Sequence, residues 1–160
     1  MTPEKERLEK LAVAARWLLG GLFVYMGASK AAHPEEFLKL VRQYDLTSNY
    51  FLLNAVASTL PWFEVYCGVL LLAGVAVRGV SLVLGIILIA FTWAVWQRAL
   101  TVEAARSIPF CAVKFDCGCG TGEVYICHKL PENIGLILVC GWLLLGKGRP
   151  LSVKYNLRGA

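Results

Sequence analysis

RWLLGGLFVYMGASK, residues 16–30, holds thirteen uncharged residues between Arg16 and Lys30. A helix turns about 100° per residue, so the two basic residues return to nearly the same face. Gly20, Phe23 and Gly27 lie between them on that stripe. Small residues on one face permit close helix contact, which predicts that the stripe faces inward. Arg16 is read as snorkelling back to the headgroups.

Upstream, Thr2-Pro3-Glu4 supplies a capping hydroxyl, a proline for the first helical position and early acidic charge. The helix is predicted to run to about Ala32, where His33-Pro34 stops it. MTPEKERLEK mixes both signs and leads into no short apolar run with a small-residue cleavage site, so no signal-peptide cleavage is expected. Composition agrees with a chain built for lipid. Hydrophobic residues make up 58% and charged residues 17%, and mean hydropathy is +0.60. The net charge of +5 gathers beside the apolar runs, which reads as anchoring to lipid rather than binding of nucleic acid.

Downstream, PEEFLKLVRQYDL sets Phe37, Leu38, Val41 and Tyr44 at helical spacing among charges. It is too short and too charged to span, and is expected to lie in the interface. YFLLNAVASTLPWFEVYCGVLLLAGVAV follows. Counting back from Arg78 predicts a second span over about 58–77, with a kink at Pro61 and Glu64 inside the hydrocarbon. The third span is expected at 79–100, anchored by Trp93, Trp96 and Arg98. Residues 131–146 read as a fourth span, short by several residues unless the helix begins near Tyr125 or the preceding loop dips inward. The expectation is one all-α membrane domain: a polytopic four-helix bundle with an interfacial helix after the first span, a cysteine loop at 101–130 and a basic tail at 147–160. Basic residues are denser near the termini and the second turn, so the positive-inside rule puts both termini in the cytoplasm of a cytoplasmic-membrane protein. The cysteine loop then faces the oxidising side.

That loop reads CAVKFDCGCGTGEVYICH from Cys111 to His128 and holds four of the six cysteines. Cys117-Gly118-Cys119 can close only a strained, easily reduced disulfide, hence an oxidising one. Cys111 and Cys127 flank it as a resolving or relaying pair, and Lys114, Lys129 and His128 are near enough in sequence to lower a thiol pKa. Two ordinary loop-closing disulfides are the plain alternative. A Cys3His zinc site from Cys117, Cys119, Cys127 and His128 lacks a C-x2-C spacing, and no metal is favoured. Glu64 is costly at its depth unless paired, and Lys30 is the expected partner. Their pairing reads either as a register-fixing ion pair or as a proton or quinone site, with Trp62 as a candidate ring neighbour. Cys67 and Cys140 read as inert buried thiols of similar depth, or as a route for electrons inward if adjacent.

RWLLGGLFVYMGASK and PWFEVYCGVLLLAG (residues 61–74) resemble DoxX-like membrane proteins, and DCGCG (residues 116–120) resembles the cysteine motif of MauE-like proteins. The resemblance covers residues 16–145. It implies a four-helix membrane bundle, with disulfide formation during methylamine dehydrogenase maturation on the MauE side and quinone-linked sulfur oxidation on the DoxX side. Gly120-Thr121 and the additional loop cysteines depart from the MauE pattern. The expected activity is thiol–disulfide exchange at Cys117, Cys119, Cys111 and Cys127. Electrons would pass between an extracytoplasmic or thioredoxin-like thiol protein and a quinone held near Glu64, Lys30 and Trp62. The second reading is a non-catalytic subunit of a larger redox complex, with structural disulfides.

Overall fold

The structure is a computed structural model and describes residues 3–44, 49–116 and 122–145. Helix α1 spans Pro3–Ala32, α2 Pro34–Gln43, α3 Tyr50–Ala73, α4 Val77–Arg106 and α5 Ile126–Leu144. Between α4 and α5 lie a 3-10 turn, Phe110–Ala112, and a hairpin of β1, Lys114–Asp116, with β2, Glu123–Tyr125. The fold is all-α apart from that hairpin. Cys117, Cys119 and the basic tail lie outside the described residues.

Local chemistry sets the breaks. Pro34 takes the first position of α2, while His33 leaves helical geometry at φ −127° and ψ 63°, as the residue before a proline tends to. Asn49 caps α3, its side chain accepting from the amides of Phe51 at 3.0 Å and Leu52 at 3.2 Å. At its other end α3 stops at Ala73, where sequence reading continued the span to Val77. Gly74 takes the left-handed conformation at φ 73°. The amides of Gly74 and Val75 then close onto the carbonyls of Leu71 and Leu70. This is a glycine-dependent helix closure, and the hydropathy of Val75-Ala76-Val77 gives no hint of it.

α1 and α3 run antiparallel and touch backbone to backbone. A Cβ added at Gly27 would lie 2.6 Å from the Pro61 carbonyl oxygen, and one at Gly68 2.7 Å from that of Gly20. The stripe predicted to face inward does so: Phe23 is 1% exposed and Lys30 6%. Arg16 shares that stripe and is 1% exposed. Its expected path to the headgroups is therefore corrected, because a side chain on the face clamped against α3 has no room to turn outward.

α4 packs along α5, where Gly85 faces the Cβ of Cys140. α1, α3 and α4 are long and apolar enough to cross a membrane. α5 has 19 residues, about 28 Å at 1.5 Å per residue. It begins directly after Tyr125, so the helix gains length at its polar start. Trp17, Leu18, Phe51, Ile86 and Leu138 point outward and exposed, an apolar coat suited to lipid. The chain is a multi-pass membrane protein.

Replacing Gly68 with leucine should separate α1 from α3, because the neighbour it meets is backbone and cannot yield. The expected loss is about 1–3 kcal/mol or more, read as a lower thermal midpoint in detergent. Gly135→Ala, inside α5 at a position where an added Cβ meets nothing within 4 Å, should not lower the midpoint.

Candidate functional site

Lys30 in the last turn of α1 and Glu64 in the middle of α3 meet inside the bundle. Lys30 Nζ donates to Glu64 Oε1 and Oε2, each at 2.7 Å. Both side chains are 5% exposed. The rings of Phe37 and Phe91 lie 5.3 and 5.9 Å from the ammonium, so charge and aromatic faces replace the water it has lost.

The pair sits in the wall of a cavity of about 290 Å³ formed by α1, α2, α3 and α4. Met26, Leu40, Tyr44, Leu60, Ile87 and Phe91 are among its lining residues. Apart from the ion pair and the Tyr44 phenol, the surface is apolar. Such a slot suits a flat apolar molecule with polar atoms at one end. Tyr44 is the C-terminal cap of α2, and with Phe37 and Val41 of that helix it closes one side of the cavity. Burial pushes the Tyr44 phenol well above its ordinary range, with the Asp116 carboxylate adding to the shift and Arg98 opposing it. Tyr44 is therefore a protonated hydrogen-bonding group at neutral pH.

The hairpin lies over this region. Its strands pair antiparallel with Phe115 opposite Val124, which puts these two side chains on one face. Phe115 meets the Tyr44 ring edge-on with centroids 6.4 Å apart, and Val124 packs against Met26. On the outer face, Lys114 pairs with Glu123 at 2.9 Å. That hydrogen bond and its charge hold the Glu123 carboxyl below its usual range and the Lys114 ammonium above its own. Both are exposed, so the pair steadies the hairpin only slightly.

Cys111 and Cys127 are joined as a disulfide with their Cα atoms 5.1 Å apart. The bridge closes the hairpin base beside Val113 and Ile126, both buried. Cys117 and Cys119 belong to the short connection between Asp116 and Gly122, outside the described residues. Lys129 is buried and paired with Glu132 at 3.1 Å, while His128 is exposed beside Tyr125. Cys67 and Cys140 are free thiols in the same buried core cluster. Trp62 is 67% exposed, on an outer surface of α3 with Phe63 and Tyr66, and is not brought to the cavity. Among the described residues, no group of three His, Cys, Asp or Glu side chains converges as metal ligands.

Sequence reading missed Tyr44 as a cavity residue. The available signal was its spacing from Phe37 and Val41, which marks a buried helical face as readily as an interfacial one.

The family model described as methylamine utilisation protein MauE matches residues 8–146. That stretch includes every helix lining the cavity, the hairpin and the cysteine motif. No curated protein and no solved structure matches the chain.

Removing one partner of the ion pair leaves the other charge buried alone. Lys30→Met should therefore destabilise by about 3–5 kcal/mol, and Lys30→Met with Glu64→Gln by clearly less. Unfolding of the single and double variants in the same detergent measures the difference.

Proposed function

The chain belongs to the MauE family, and from that premise we propose that it is a membrane thiol–disulfide oxidoreductase linking a partner's cysteines to a lipid-soluble quinone. The observation that carries the reading is the juxtaposition of the cysteine hairpin with an apolar cavity whose wall holds a charged pair. A disulfide loop alone would need no such cavity beneath it.

In the proposed cycle, a thiolate of an extracytoplasmic or thioredoxin-like protein attacks the Cys117–Cys119 disulfide and forms a mixed disulfide. The partner's second thiol resolves it. The partner leaves oxidised, and Cys117 and Cys119 hold two electrons and two protons as thiols. Exchange with Cys111–Cys127 moves the reducing equivalents to the hairpin base. A quinone, when bound, supplies a two-electron, two-proton acceptor and leaves as the quinol. Lys30, Glu64 and Tyr44 would orient it by its oxygen atoms, while Leu40, Leu60 and Phe91 exclude water from its ring. The charge asymmetry along the chain supports a hairpin on the outer side of the cytoplasmic membrane, with both termini inside.

The Cys111–Cys127 bridge also favours the second reading, a non-catalytic subunit of a larger redox complex. It ties the ends of the hairpin together as a purely structural bond would. Separation is by variant. Under the oxidoreductase reading, Cys117→Ser and Cys119→Ser each lower dithiol oxidation coupled to quinone reduction by about 100-fold or more, with little change in thermal midpoint. Full activity in both variants would falsify it. If Cys111–Cys127 is only a brace, its double serine variant loses about 3 kcal/mol of stability, as expected for a loop of this size, and keeps its turnover.

A further inference from the structure

Lys30 lines two spaces. One is the apolar cavity, which Glu64 also lines. The other is a smaller pocket of about 70 Å³ lined by Ser29, Lys30, His33, Glu36 and Asp116, with Phe37 and Leu40 at its apolar edge. That volume exceeds the roughly 10–15 Å³ a single water needs, and the lining supplies the polar partners. His33 and Glu36 are exposed, so the pocket is in contact with bulk solvent. Asp116 comes from the hairpin and is followed in the chain by Cys117. Asp116, the chain neighbour of Cys117, therefore lines one small space together with His33, Glu36 and Lys30. Tyr44, within electrostatic reach of Asp116 and Arg98, lines the larger cavity.

We propose that this pocket is the proton route between the loop thiols and the cavity: Asp116, His33 and Glu36 pass protons by way of water to Lys30, and Lys30 passes them to Glu64. This rests on the thiol-to-quinone reading. Its balance is closed. Two thiols becoming one disulfide release two electrons and two protons, and a quinone becoming a quinol takes up the same number of each. Electrons move by disulfide exchange, but the protons would otherwise have to cross an apolar wall. In each transfer the Lys30 ammonium gives a proton to Glu64 Oε, and Glu64 gives it to an oxygen of the acceptor. The neutral amine regains a proton from the pocket. Lys30 and Glu64 end in the ionic state in which they began.

The test uses the full-length protein in detergent, with its two half-reactions measured separately. Asp116→Asn and the double variant His33→Gln, Glu36→Gln are compared with the unaltered chain. The double variant changes only exposed side chains, so its folding should be unaffected. Reduction of the loop by dithiothreitol should proceed at the unaltered rate in the double variant. Oxidation of the reduced protein by a short-chain benzoquinone should slow at least tenfold in the variants, and added formate should restore it. In protein without quinone, exchange of the Lys30 ammonium protons with water, read by ¹⁵N NMR, should also slow at least tenfold in a combined triple variant. Unimpaired quinone reduction in the variants overturns the route alone. So does a slowing that formate does not relieve and that leaves Lys30 exchange unchanged. Failure of the unaltered protein to reduce the benzoquinone removes both the route and the function on which it rests.

Discussion

A lysine and a glutamate buried in a hydrophobic bundle are tolerable only while each neutralises the other, and this constraint fixes much of the architecture around them. Lys30 Nζ reaches both Glu64 oxygens at 2.7 Å. That requires α1 and α3 to approach backbone to backbone in one register, which the glycines at 20, 27 and 68 allow. It also requires α2 to fold back so that Phe37 covers the ammonium. Desolvating two charges costs several kcal/mol each, and a well-packed hydrophobic pair of similar volume is often as stable or more so. The pair is therefore poorly explained as a stability device; it sets the register of α1 against α3, and under the proposed function it also presents charge to the cavity.

Much of this was legible in the sequence. A lysine and a glutamate inside apolar runs are rare enough that their pairing follows from cost alone. His33-Pro34 marks the first break, and the Gly20–Phe23–Gly27 spacing marks the buried face. Other features depend on contacts between segments that no local pattern carries. Six cysteines allow fifteen full pairings. The Cys111–Cys127 partnership emerges only once Lys114–Asp116 pairs with Glu123–Tyr125. Arg16 looks like a headgroup anchor by its position near the start of a span, yet the helix face it occupies is committed to α3. Trp62 neighbours Glu64 in sequence by two positions, which on a helix turns it to a different side. Gly74 ends α3 by conformation, and hydropathy does not sense conformation.

The bundle divides its chemistry by depth. At the end away from the hairpin, the Gly20–Gly68 contact, Arg16 and the free thiols of Cys67 and Cys140 lie in the packed interior. At the hairpin end, α2, the last turns of α4 and the disulfide-closed loop assemble a lid of aromatic side chains over a hollow interior. Tyr44 joins the two halves of that region, touching Phe91 below and Phe115 above. A rigid floor and a covered slot are the arrangement expected where a small apolar molecule must be held near a reactive loop.

Under the proposed function, this slot takes a quinone within reach of the cysteine hairpin. Photolabelling with an azido-benzoquinone, followed by peptide mapping with and without excess unlabelled quinone, tests it most directly. Labelling is expected at cavity residues such as Leu40, Tyr44, Leu60 and Phe91, and the competitor should abolish it. Labelling confined to the lipid-facing side chains Trp62, Tyr66 and Trp93, and unaffected by competitor, would contradict it.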